Sequence, residues 1–207
     1  MDGREHWDTI YRTKTDQQLS WFEPCPDVSV RMLEAAGLTQ DTSVLDVGAG
    51  ESRLVDYLVG RGLQCLAVLD VSQAALDRAK ARLGEPAAHV TWIAADVTAD
   101  WSLTPMDIWH DRAVFHFLAD AGARARYRQR VRQVVKPGGA VIMATFALEG
   151  PDKCSGLPVA RYSSESLAEE MGDGFRLVRS VPHVHQTPWG ATQAFQYSLF
   201  TYGKDGE

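Results

Sequence analysis

From Ser43 to Phe146 the chain alternates short apolar runs with stretches of helical period, and that alternation excludes most folds. The runs are Ser43 to Val47, Gln64 to Asp70, His89 to Ala95, Asp107 to Val114 and Ala140 to Phe146. Helical patterns separate several of them, over Ser52 to Arg61, Gln73 to Leu83 and Ala121 to Val135. Runs that are apolar at consecutive positions suit strands buried on both faces. Repeated strand–helix–strand units dictate right-handed crossovers and a parallel sheet with helices on both faces. The rhythm breaks after a helix expected near Ser164 to Met171. Phe175 to Val184 and Thr192 to Tyr202 both read as strands, with only a turn around Pro188-Trp189-Gly190 between them, so they form an antiparallel pair. Before the alternation lie two helix candidates, Arg4 to Tyr11 and Asp27 to Ala36, flanking the aromatic stretch Ser20-Trp21-Phe22-Glu23-Pro24, with Gly37 placed to stop the second.

With 207 residues and 45% hydrophobic content, the chain suits one packed domain over 1–207, divided into a segment 1–40 and a core 41–207. A net charge of −6 argues against nucleic acid or an anionic membrane as a general partner. No apolar window is long enough to span a bilayer, and the polar opening MDGREHWDTIYRTKTD lacks a secretory apolar stretch. The three cysteines, Cys25, Cys65 and Cys154, are odd in number and far apart, so they read as free thiols in a reducing compartment. Cys65 reads as a mid-strand core residue, and the cytoplasm is the expected location.

Chemistry concentrates at the ends of the strands. Val44-Leu45-Asp46-Val47-Gly48-Ala49-Gly50 lies where the first strand turns into a helix, at the carboxyl edge where open α/β sheets hold ligands. Gly48 and Gly50 permit a tight turn and let a ligand approach the backbone. Arg53 stands where a dinucleotide fingerprint has its third glycine, which counts against a nicotinamide cofactor. Asp46, just before the turn, suits a cationic ligand better than a phosphate. Asp70, followed by Val71, ends the second strand 20 residues after Gly50, where an acid can accept both hydroxyls of a ribose. Asp96 and Val97 follow the third strand and suit an adenine amino group and ring. His110-Asp111-Arg112 ends the fourth strand, and Lys136-Pro137-Gly138-Gly139 leads into the fifth.

At these residues the chain resembles the class I S-adenosylmethionine-dependent methyltransferases, small single-domain type, over roughly Trp7 to Phe146. The resemblance implies a Rossmann-like, seven-stranded, mostly parallel sheet with an antiparallel C-terminal strand and an N-terminal helical lid. It implies S-adenosylmethionine as cofactor and S-adenosylhomocysteine as product. Gly48, Ala49 and Gly50 would flank the methionine part, Asp70 the ribose, and Asp96 and Val97 the adenine, with Asp46 and Val71 also among the cofactor-binding residues. The opening His6-Trp7-Asp8-Thr9-Ile10-Tyr11 with Ser20-Trp21-Phe22 looks like the lid of small-molecule and lysine methyltransferases of this class, with Trp7 and Tyr11 closing over the cofactor. Asp111-Arg112-Ala113 is similar to a stretch of thiopurine-type enzymes.

Methyl transfer from a sulfonium needs alignment and exclusion of water more than an enzymic nucleophile. If the acceptor must lose a proton, Asp111 and His116 are the candidate bases, and Asp111 could equally meet the cofactor ammonium. The expected acceptor wall is Trp21, Phe22, Phe146, Arg161 and Tyr162. A small-molecule acceptor is expected. A protein lysine is the alternative, and a non-catalytic binder of the cofactor the third reading. His110-Asp111-Arg112-Ala113 does not match the turn used for amino groups on nucleic-acid bases. The arginines of 124–132 read as a solvated helix face. His183 and His185 share a strand face but lack a third ligand at suitable spacing, so no metal is expected and they read as polar residues at the mouth of the pocket. Aromatics at Trp7, Tyr11, Trp21 and Phe22 would equally serve as simple packing.

Overall fold

A computed structural model describes residues 3–203. Helix α1 spans Gly3–Thr13 and α2 Asp27–Ala35. There follow β1 (Val44–Val47), α3 (Leu54–Gly60), β2 (Leu66–Asp70), α4 (Gln73–Leu83), β3 (Val90–Ala94) and β4 (Met106–Arg112). Next come α5 (Ala121–Val134), β5 (Val135–Phe146), the two-residue strands β6 (Lys153–Cys154) and β7 (Leu157–Pro158), α6 (Ser164–Met171), β8 (Phe175–Gln186) and β9 (Thr192–Tyr202). Seven strands form one sheet in the order β3-β2-β1-β4-β5-β9-β8, and β6-β7 make a separate hairpin. Strands β1 to β5 pair in parallel, whereas β9 runs antiparallel to both β5 and β8. The seven-stranded sheet with its reversed C-terminal strand is therefore the observed architecture.

Side-chain parity divides the interior. Val44, Leu66, Val68, Ile108, Ile142, Phe146 and Phe195 pack with α2, α3 and Leu76 of α4. Leu45, Val47, Leu69, Trp109, Val141 and Met143 pack on the other face against Tyr127, Val131 and Val134 of α5 and Leu167 and Met171 of α6. Registration keeps this in step across the sheet: Asp46 lies beside Val68 on one side and His110 on the other, while Val47 lies beside Asp111. A one-residue slip would exchange the faces.

Three local expectations are corrected. Pro137-Gly138-Gly139 is not a turn ahead of β5 but lies within it, and the pairing with β4 jumps from Met106–Val135 to Ile108–Ala140. An irregularity there absorbs the residues that cannot donate or that need a positive φ, as Gly138 does at 81°. Cys65 precedes β2 and is exposed. The arginine-rich α5 is only partly a solvated face: Arg130 is buried, its guanidinium 4.9 Å above the Trp101 ring. Arg124 and Arg128 pair with Glu170 of α6. No helix among the described residues is long and apolar enough to cross a membrane.

Candidate active site

The carboxyl ends of β1, β2 and β4 open onto a cleft roofed by the lid. Gly48 and Gly50 take φ of 61° and 54° at the β1 turn. Neither position has room for a side chain: a Cβ on Gly48 would lie 1.9 Å from Val114 Cγ2, and one on Gly50 would lie 2.1 Å from the Tyr11 hydroxyl. The glycines thus bring backbone, Val114 and lid into contact at one point.

Two cavities flank this turn. The larger, about 170 Å³, is lined by Trp7, Tyr11 and Trp21 from the lid and by Gly48, Asp70, Val71, Asp96, Val97 and Val114 below them. Its inner wall holds Arg112, Phe117, Phe146, Cys154 and Phe195. The smaller, about 40 Å³, lies on the other side of Gly48 and is lined by Trp21, Phe22, Glu23, Asp46, Ala49, Glu51, Arg53, His110 and Arg112 among others. Trp21, Gly48 and Arg112 border both.

Asp70 is buried, and its carboxylate accepts the Gly50 N–H at 2.7 Å and the Ser72 N–H at 2.8 Å. Burial pushes its pKa up to about 6 even though both backbone donors favour the anion. It remains ionised at neutral pH and lines the cleft between Gly48 and Val71. Asp96 lines the cleft, and one of its carboxylate oxygens accepts the Thr98 N–H and hydroxyl, both at 2.7 Å. In the smaller cavity Asp46 Oδ1 meets His110 Nδ1 at 2.7 Å, and its Oδ2 is buried with no partner. An orphaned carboxylate oxygen beside a glycine turn is the complement of an ammonium group. These features fit S-adenosylmethionine: an acid for the ribose, an acid and Val97 for the adenine, and an unpaired acid for the amino acid end.

The lid is tied to the core by reciprocal capping. Asp8 of α1 accepts the Ser72 hydroxyl at 2.6 Å and the Ala74 N–H at 3.1 Å, at the start of α4. In return Arg78 of α4 donates to the Tyr11 and Lys14 carbonyls at the end of α1, at 2.6 and 2.8 Å. Each helix supplies the charge that suits the other's terminus. Trp7 then packs edge-on against Trp21 and Phe117, with centroids 5.7 and 5.3 Å apart.

Neither residue expected as a base lines either cavity. Asp111 is completely buried on the α5 face of the sheet, away from the cleft, and accepts from Val114 N–H, Phe115 N–H and the Tyr127 hydroxyl at 2.9, 3.1 and 2.6 Å. It holds the chain turn after β4. His116 is buried behind Phe117 and Phe146, and burial together with Arg112 lowers its pKa to about 3, so it stays neutral. Of the expected acceptor wall, Trp21 and Phe146 line the cleft and Phe22 the smaller cavity. Tyr162 is instead packed on Phe115 in the opposite core, and Arg161 is exposed with Nη1 3.3 Å from the Gly150 carbonyl.

The sequence did not signal Arg112, Phe117 or Phe195 as cleft residues, nor Glu23 as a partner of His183 and His185. Buried Arg112 donates to the Trp21 carbonyl at 2.9 Å and the Tyr197 hydroxyl at 3.1 Å, and pairs with Glu23 at 2.9 Å. His185 is not at a pocket mouth: it is buried against the lid, between Glu23 and the Ser20 carbonyl. Strand parity flags Arg112, since it shares a face with Asp46 and Asp70 through the register, whereas Glu23 is 160 residues away and carried no signal.

Residues 44–139 match the family model described as a methyltransferase domain. The chain is 24% identical over 197 residues to EEF1A lysine methyltransferase 2 of Danio rerio, covering 88% of this chain and 78% of that one. A solved structure described as converting a disulfide bond into a thioacetal group during echinomycin biosynthesis superposes with a TM-score of 0.74 at 21% identity, covering 98% of this chain and 94% of the other. The Burkholderia thailandensis 1,6-didemethyltoxoflavin-N1-methyltransferase, solved with bound 1,6-didemethyltoxoflavin and S-adenosylhomocysteine, superposes with a TM-score of 0.67 at 17% identity, covering 97% of this chain and 84% of the other. These two share the fold.

Proposed function

We propose that this chain is an S-adenosylmethionine-dependent methyltransferase of the class I, Rossmann-like type and that it methylates a small-molecule acceptor bound in the aromatic end of the cleft. The observation that carries this reading is the aromatic lining of that end. Trp7, Trp21, Phe117, Phe146 and Phe195 line it beside the lid, a concave apolar surface that suits a small acceptor. Structures of the same fold with small acceptors support it.

The cofactor supplies a methyl group already activated on a sulfonium. The residues named above bind and orient it: Asp70 takes the ribose hydroxyls, Asp96 and Val97 the adenine, and Asp46 Oδ2 with the Gly48–Gly50 backbone the amino acid end. Trp7, Tyr11 and Trp21 exclude water, which keeps nearby charges unscreened and the acceptor aligned. Their ring faces also suit a cationic sulfur. No proton transfer is assigned to Asp111 or His116.

A protein lysine is the second reading, favoured by the lysine methyltransferase relative and by a net charge of −6 that would attract a basic target. Incubation with methyl-labelled S-adenosylmethionine, a desalted lysate and a separately returned small-molecule pool tests both. Label in extractable small molecules is the expected outcome. Label fixed in the protein pellet would replace it with the lysine reading.

A further inference from the structure

Among the described residues, the aromatic end of the cleft is lined by one charged side chain, and it is a cation. Arg112 and Cys154 stand there among Trp21, Phe117, Phe146 and Phe195. The carboxylates of the same cavity, Asp70 and Asp96, belong to the end given to ribose and adenine. The guanidinium carbon of Arg112 lies 5.0 Å from the centre of the Phe195 ring. Nε donates to the Tyr197 hydroxyl at 3.1 Å and Nη1 to the Trp21 carbonyl at 2.9 Å. Nη2 stands 2.9 Å from Glu23 Oε1 but makes no aligned hydrogen bond among the described residues. The guanidinium thus has more N–H groups than these partners take. Glu23 lines the smaller cavity and not the larger, whereas Arg112 lines both. The countercharge therefore lies on one side of the guanidinium, and the larger cavity meets the other.

Two side chains at this wall register that charge. Burial pushes the Cys154 thiol up to about 11, and the charge of Arg112 opposes the shift. Burial lowers His116, behind Phe117 and Phe146, to about 3, and Arg112 adds to the effect. An acceptor that loses its proton during transfer needs a base beside it. At the aromatic end the titratable neighbour is Cys154, whose raised pKa keeps it a thiol at neutral pH. An acceptor bound there arrives with its attacking lone pair already free. Beside a fixed cation, a negative acceptor is favoured and an ammonium group is opposed.

We propose that the acceptor is a small apolar molecule that binds and reacts as an anion, and that Arg112 is the residue selecting its charge. This rests on the methyltransferase reading of the cleft. The acceptor gives its proton to solvent before it binds. Its electron pair then forms the bond to the methyl carbon, the bond from methyl to sulfur breaks, and that pair stays on sulfur. The products are a neutral methylated acceptor and S-adenosylhomocysteine. Sulfonium and anion cancel each other's charge as the new bond forms, which suits surroundings made of aromatic rings. The same cation opposes a lysine ammonium, so the charge preference of this subsite also separates the two acceptor readings.

The test uses the full chain saturated with S-adenosylhomocysteine and three probes of one shape. 4-Nitrophenol reports its own ionisation by absorbance, while nitrobenzene and 4-nitrobenzylamine supply the neutral and cationic forms. Bound 4-nitrophenol should ionise at lower pH than in water, with the anion preferred about tenfold, equivalent to about 1.4 kcal/mol. 4-Nitrobenzylamine should bind weakest. Arg112→Gln should lose the preference, whereas Glu23→Gln, which removes the countercharge and leaves Arg112 in place, should enlarge it. A residue that merely held Trp21 would weaken all three probes in both variants. Ionisation at higher pH when bound, an amine that binds as tightly as the phenolate, or no binding by any probe overturns the proposal. So does a preference that survives in folded Arg112→Gln. If that variant does not fold, the wild type and Glu23→Gln decide. A loss of S-adenosylhomocysteine affinity beyond about tenfold in folded Arg112→Gln, about 1.4 kcal/mol, would assign the cation to the cofactor carboxylate and also overturn it. If the wild type does not bind S-adenosylhomocysteine, the methyltransferase reading fails, and the probe titrations without it still decide the charge preference of the cavity.

Discussion

Asp70 and Asp111 are both buried carboxylates pushed up to about pKa 6, yet only one faces the cleft. Their environments give different predictions. For each, the folded-state pKa lies above the unfolded value, so the native state binds more protons, and the stability they contribute falls as pH rises from about 4 to 6. For Asp70 the ionised form is the one that accepts ribose hydroxyls. S-adenosylhomocysteine affinity should therefore rise between pH 5 and 7 in the wild type, and calorimetry of Asp70→Asn should show that rise gone and affinity lowered by about 10- to 100-fold, the loss of one charged hydrogen-bond acceptor. Asp111→Asn touches no ligand in this account. It should cost roughly 2–3 kcal/mol in urea unfolding by weakening the bonds to Val114, Phe115 and Tyr127. Methyl transfer per folded molecule should stay within about threefold of wild type, a difference of about 0.6 kcal/mol; a larger loss in a folded variant would restore Asp111 to the chemistry.

Among elements, the lid docks through a small apolar cluster and a few polar contacts. Helix α1 buries Ile10 and Tyr11 and is otherwise largely polar, so its exchange of caps with α4 carries much of its docking. Asp8→Ala removes the acceptor for the Ser72 hydroxyl and the Ala74 N–H. We expect a stability loss of about 1–2 kcal/mol, typical of a lost N-terminal cap. The dissociation rate of S-adenosylhomocysteine in stopped flow should rise by about tenfold, 1.4 kcal/mol, with the fold intact by circular dichroism. An unchanged dissociation rate would mean that α1 does not gate the cleft. The boundaries of α4, α6 and β9 could be read from sequence alone, because Ser72 and Ser163 cap their helices and β9 alternates cleanly. The start of β5 could not, since pairing with Met106 continues the strand through Pro137-Gly138-Gly139.

For the whole molecule, the cleft is built from segments that meet only on folding, so ligand binding should report on global stability. S-adenosylhomocysteine at 100 times its dissociation constant should stabilise the chain by about 2.7 kcal/mol and raise Tm by roughly 5–10 °C for a chain of this size. NADH should leave Tm unchanged, since Arg53 replaces the glycine that a pyrophosphate site needs; a matching shift with NADH would contradict that reading.

The sequence by itself determined the order of strands and helices, the glycine turn at Gly48 and Gly50, and the acids ending β2 and following β3. Each is a local feature, set by hydrophobic period, turn chemistry and spacing along one strand. Only the tertiary structure decided which side chain faces which side of the sheet. Asp111 follows His110 in the motif, yet the register that sets Asp46 beside His110 sends Asp111 to the α5 core and Arg112 to the cleft. It likewise decided that His183 and His185 have a third companion, Glu23, because the lid returns across β8 from the far end of the chain. Parity across a sheet and contacts between distant segments are fixed by packing many residues at once, and no local pattern carries them.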